Sequence, residues 1–155
     1  MKRLVLFAVC LSLVCLLAVG CGSSAKSMDI TAFADSVIKD VDFGDDLLEV
    51  PEAMLSDYYT IANGKISESK VYVSGTGATA SELAVFKCSD ANAAKDVKSA
   101  VETRVSEQIS AYENYRPDEK FRLENAFIAV EGEYVVFAVS NDNAAVEKLL
   151  GSALK

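Results

Sequence analysis

The chain contains no histidine. That removes the usual general base, the Ser-His-Asp and Cys-His nucleophile arrangements, and the commonest zinc ligand. Cysteine is nearly as scarce where it would count. Of the four, Cys10 and Cys15 lie in an apolar leader, Cys21 stands at its exit, and only Cys88 is left for the rest of the chain. One thiol makes no internal disulfide and no cysteine-based zinc or iron–sulfur cluster. Cys88 ends the apolar run Leu83–Cys88 and reads as a small core hydrophobe, with no basic cluster nearby in sequence to activate it.

Positive charge is also in short supply. The chain carries 15 Lys and Arg against 23 Asp and Glu. Lys2 and Arg3 account for two of the basic residues and no acid lies in the first twenty positions, so the remainder has 13 against 23, a net of −10. Such acidity argues against nucleic acid as a partner and against anionic headgroups held through a basic face. No cofactor motif is visible, and catalysis is left to a carboxylate pair or to serine with lysine. Neither can be singled out, because acids are spread along the whole chain.

The N-terminus carries an address. Lys2 and Arg3 form a positive start, and Leu4–Val19 follow without a charge and with Ser12 as the one polar side chain. A charged start, an apolar middle and a small-residue exit make a secretory signal. The exit Leu17-Ala18-Val19-Gly20-Cys21 resembles a lipobox, where a diacylglyceryl group is attached to cysteine and the leader is cut before it. Two acyl chains suffice for stable anchoring where one does not. The alternative, an uncleaved transmembrane anchor, has an apolar run short of the ~20 residues that span a bilayer core, and gives the same topology. Residues 1–20 are therefore expected to be a lipoprotein signal peptide, 21–28 a lipidated tether of small polar residues, and 29–155 one domain on the outer side of the cell membrane.

Periodicity outlines that domain. Ile30, Phe33, Ala34, Val37, Ile38 and Val41 form one helical stripe behind a capping Asp29. Pro51 is placed to open a short helix through Tyr58. Asn63-Gly64 marks a turn, after which Val71–Val73 and Leu83–Phe86 read as strands joined by the Gly75-Thr76-Gly77 loop. A long helix is expected from Ala91 to Tyr112, capped by Asp90 and ended by Arg116-Pro117. Ala126–Val130 and Tyr134–Val139 make a hairpin around Glu131-Gly132, and Asn141 or Asp142 caps a last helix to about Leu154. This order predicts an α+β fold: a single domain with an antiparallel sheet of four or five strands and helices packed on one face. Phe137 and Val139 flank Ala138, so the last strand is apolar on both sides and central.

The lipobox leader, Tyr72-Val73-Ser74, Ala80–Phe86, the helix bearing Arg104, Tyr115-Arg116-Pro117 and Gly132-Glu133-Tyr134-Val135 together resemble the Gram-positive lipoprotein family that carries the domain of unknown function 4358. The resemblance implies an extracytoplasmic lipoprotein and brings no catalytic residue or ligand.

Three constellations carry possible chemistry. Asp40, Asp42, Asp45 and Asp46 crowd around Gly44 with oxygens of the kind calcium takes, yet Gly44 and Pro51 fall where an EF-hand needs oxygens, and a solvated helix-ending loop is favoured, with no metal expected. Gly75–Thr79 has a phosphate-cradle composition but leads into a strand, so no helix N-terminus faces an anion. Glu82 opens an apolar strand and Arg104 flanks the apolar stripe of the long helix. Together they read as a structural charge pair or, with Tyr115, as the lining of a polar pocket for a small ligand. The function expected first is a non-enzymatic binding module, held to the membrane through Cys21, for an envelope protein or a small extracellular ligand. A purely structural accessory of an envelope complex differs from it only in partner size. The alternative is a cell-wall hydrolase using two facing carboxylates.

Overall fold

The computed structural model describes residues 27–154; the leader, Cys21 and most of the tether lie outside the described residues. Helix α1 (Ile30–Asp40) comes first, then β1 (Leu47–Glu49) and a 3-10 helix (Glu52–Asp57). Strands β2 (Ile66–Ser74) and β3 (Glu82–Cys88) precede α2 (Ala91–Tyr112) and α3 (Pro117–Glu124). Strands β4 (Phe127–Glu131) and β5 (Tyr134–Val139) and helix α4 (Asn143–Ala153) complete the order. The five strands form one antiparallel sheet in the order β1-β2-β3-β5-β4.

Local signals account for most of these elements. Asp29 accepts from the N–H groups of Thr31 and Ala32 at 3.0 and 2.9 Å, and Asp90 from those of Asn92 and Ala93 at 2.7 and 2.8 Å. Each carboxylate satisfies two donors that a helix start leaves without intrahelical partners. Asp142 caps α4 with a single such bond, from the Ala145 N–H at 3.0 Å. The β4–β5 turn has Gly132 at φ +62° in the first of its two central positions, the geometry that matches the twist of a two-residue hairpin. Met28, assigned to the tether by sequence, is buried in the core and donates its N–H to the Tyr134 hydroxyl at 3.1 Å, so it belongs to the domain.

The α+β single domain with its antiparallel sheet matches the expectation, and the placement of the helices corrects it. Helices cover both faces, not one. Leu83, Val85, Tyr134, Val136 and Ala138 pack on the α1 and α4 side. Ala84, Phe86, Val135, Phe137 and Val139 pack on the α2 and α3 side. All six residues of β5 are buried, as are six of the seven in β3. A strand apolar on both sides needs cover on both sides, and the both-faced apolarity already visible in Phe137-Ala138-Val139 required a second helical layer.

Two elements escape periodicity. β1 is only three residues long; Leu47 packs on the α1 side while Leu48 is exposed. Arg116-Pro117 does end α2, but Pro117 then occupies the first turn of α3, where its missing N–H costs nothing. Asp118 and Glu119 in that turn suit the positive helix end.

Phe137 is fully buried and Phe121 is exposed on α3. Denaturant unfolding of Phe137→Ala should show a loss of about 3–5 kcal/mol, whereas Phe121→Ala should stay within about 0.5 kcal/mol. Equal effects would contradict this placement of the core.

Candidate functional site

Glu82 is the first residue of β3 and sits opposite both Val73 and Val139, so strands flank it on each side. Strand alternation sends its side chain with Ala84 and Phe86 toward α2. Only 1% of it is exposed. A carboxylate in such a place needs partners, because an unpaired buried charge costs several kcal/mol (about 3–5 when one partner is removed). Arg104 supplies most of them. Its Nε donates to Oε1 and Oε2 at 2.7 and 2.9 Å, and its Nη2 donates to Oε2 at 2.7 Å. Gln108, one turn further along α2, donates to Oε2 at 3.3 Å, and the Tyr59 hydroxyl donates to Oε1.

The guanidinium is itself enclosed by aromatic rings. Its carbon lies 4.9 Å from the Tyr58 ring centroid and 5.2 Å from that of Tyr59, within cation–π range. Tyr59 also meets Phe86 edge to face at 5.3 Å. Burial, reinforced by the neighbouring Glu82 charge, pushes the Tyr59 phenol well above its ordinary range. Burial pulls against the charge on Arg104, and its bonds to Glu82 outweigh that and raise it. Outside this cluster, Arg104 borders an open groove of about 400 Å³ between Tyr58 and the α2 stripe Asp96, Ser99, Thr103 and Glu107.

The sequence-predicted residues are thus divided. Glu82 and Arg104 come together. Tyr115 does not join them: it lies 74% exposed in the turn between α2 and α3. Its expected place beside Arg104 is taken by Tyr58 and Tyr59, just past the 3-10 helix; the sequence marks Tyr58 only as the end of a helix and gives Tyr59 no role.

A second buried network closes the same end of the sheet and was not foreseen. Glu119, 3% exposed, accepts from the Ala80 N–H at 2.8 Å and from Arg122 Nη1 at 2.7 Å. Arg122 Nη2 reaches the Phe43 carbonyl at 2.9 Å and the Ser81 hydroxyl at 3.0 Å. The signal available was the i, i+3 spacing of Glu119 and Arg122, legible only once α3 is recognised as a helix.

A family model described as Domain of unknown function (DUF4358) matches residues 39–140, about two thirds of the chain. The chain belongs to that family. The matched span holds all five strands together with α2 and α3, and hence both ionic networks of the DUF4358 domain. No curated protein and no solved structure matches the chain.

The remaining sequence constellations of this DUF4358 domain meet each other. Asp45 Oδ2 accepts from the hydroxyls of Ser74, Thr76 and Thr79 at 2.5, 2.6 and 2.9 Å. The Gly75–Thr79 hairpin loop therefore already embraces an anion, and that anion is the chain's own carboxylate. Asp42 accepts from the Gly44 N–H at 2.8 Å and from Asn141 Nδ2 at 2.9 Å. Among the described residues no group of three or more acidic or cysteine side chains is arranged to hold a metal ion. Cys88 is buried, and burial pushes its thiol up to about 11.

Hydrogen bonds from Ser74, then Thr76, hold Asp45 down at about 2, below the ordinary value of 3.8. Between those two values the unfolded chain binds a proton that the folded chain refuses, so the stabilisation from Asp45 is present above about pH 4 and is lost as pH falls toward 2. Carboxyl titration by NMR should place the Asp45 midpoint near 2. Asp45→Asn should flatten part of the stability loss between about pH 4 and 2. A midpoint at the ordinary value, with an unchanged acid limb in Asp45→Asn, would refute the caged carboxylate.

Proposed function

We propose that the chain is an extracytoplasmic lipoprotein, anchored through an acylated Cys21, whose DUF4358 domain is a non-enzymatic module for binding an envelope protein or a small extracellular ligand. The observation that carries the non-enzymatic part is the state of the buried acids. Both Glu82 oxygens are taken by Arg104, Tyr59 and Gln108, and Glu119 is taken by Arg122 and a backbone N–H. A carboxylate-dependent hydrolase needs two acidic groups facing each other across an open cleft. Glu82 and Glu119 are spent on holding the fold. The acids of the groove beside Arg104, Asp96 and Glu107, stand about 16 Å apart along α2, with Asp96 tied to Lys65 at 2.8 Å.

The address rests on the positive start, the apolar run and the Gly20-Cys21 exit. The burial of Met28 adds a length argument. Six residue steps separate Cys21 from Ser27 and span at most about 20 Å, so a lipid on Cys21 holds the domain close to the membrane surface. Such a placement suits display to a neighbouring envelope component.

Cells fed a tagged fatty acid should label the wild-type chain and leave Cys21→Ser unlabelled. Crosslinking in intact cells followed by pull-down should then recover the same partner repeatedly with wild type. An unlabelled wild-type chain in the cytosol would overturn the address, and release of cell-wall fragments by the purified chain would overturn the non-enzymatic reading.

A further inference from the structure

We infer that the outer edge of β4 is a docking slot for an extended segment of a partner protein, one that alternates apolar residues with lysine or arginine. The inference deepens the interaction-module reading and rests on it. Three observations converge on this edge.

The first is how unequally the two edges of the sheet are protected. Unpaired edge strands invite pairing with another chain, and proteins blunt them by shortness, charge or proline. β1 is three residues long, its Glu49 is tied to Lys70 at 2.7 Å, and Pro51 follows closely. β4 runs Phe127-Ile128-Ala129-Val130-Glu131, with neither lysine nor proline and its one charge at the turn end. Its register shows which groups face out. The two-residue turn sets Glu131 opposite Tyr134, and Cys88 N–H donates to the Glu133 carbonyl at 2.8 Å on the other side of β5. Hydrogen bonds alternate along an antiparallel pair, so Phe127, Ala129 and Glu131 bond to β5, while Ile128 and Val130 direct N–H and C=O away from the sheet. Among the described residues no hydrogen bond reaches those four groups.

The second is the space beside them. A groove of about 370 Å³ runs between β4 and α4, walled on the helix side by Glu147, Leu150, Gly151 and Leu154, one helical stripe. Gly151 is the informative member. A glycine inside a helix costs stability relative to alanine, and nothing in the fold requires this one. Its φ is not positive, and a Cβ built there meets no atom within 4 Å. Its lack of a side chain leaves room for a second backbone to approach β4, as strand addition needs.

The third is charge. Glu147 lines the helix side of the groove, on a chain of net charge −8. A second copy would bring the same carboxylate to the slot; a basic strand complements it.

The test uses the full-length chain in detergent micelles with two synthetic peptides, Lys-Val-Thr-Val-Lys-Val-Thr-Val and its counterpart with glutamate for lysine. The basic peptide should slow amide exchange at Ile128 and Val130 by roughly tenfold, as new hydrogen bonds form, and the acidic one should not. Gly151→Leu should abolish that protection without lowering the unfolding midpoint, and Glu147→Lys should weaken binding about three- to tenfold. Absence of protection, equal protection by both peptides, or protection arising from self-association without peptide would each overturn the slot. If cellular crosslinking still captures the same partner in Gly151→Leu, the slot is wrong and the module reading stands; if no partner is captured from wild type, the module reading itself fails.

Discussion

One carboxylate, almost wholly enclosed and carried by the strand that the rest of the sheet packs around, constrains the whole domain. Glu82 cannot be left unpaired where β3 puts it, so a cation must come from the layer above. Arg104 does, from a helix whose Ala93, Ala94, Val97 and Val101 already face the same side of the sheet. Three N–H···O contacts in a fork geometry then fix α2 along its axis as well as against the sheet. The tyrosine pair after the 3-10 helix is held by the same guanidinium, which ties the otherwise irregular stretch between β1 and β2 to the core.

That arrangement bears directly on function. In an acid-rich chain, buried carboxylates are the natural place to look for acid–base chemistry. Here the buried acids each answer to an arginine, and Asp42 and Asp45 of the loop after α1 accept from nearby side chains and backbone. The Asp45 loop is a case where a composition that looks ready for an external anion is filled from within. Open space is left at the periphery, in a groove beside Arg104 and in another between β4 and α4.

Most of the element order was legible because helix stripes and caps are local. Asp29, Asp90 and Asp142 cap the helices that periodicity marked, and Gly132 turns the hairpin that flanking apolar strands announced. β1 was not legible because three residues cannot display a period of two. α3 was not, because its buried positions are Glu119 and Leu123 and so it has no apolar stripe. Glu82 and Arg104 could be paired from sequence since each is a charge beside an apolar face, on elements that had to meet. Tyr59 and Gln108 left no such trace, being neutral partners, and Tyr115 was misplaced because nearness to the end of α2 says nothing about which way a turn residue points.

The central claim is that Glu82 and Arg104 form a closed, internal unit of the fold. A double-mutant cycle by denaturant unfolding, with Glu82→Met, Arg104→Met and the double variant, tests it most directly. Each single change should cost about 3–5 kcal/mol, and the double should be no worse than either single, since replacing a whole buried pair by apolar side chains is tolerated where stranding one charge is not. Single effects that are small and simply add would contradict the account.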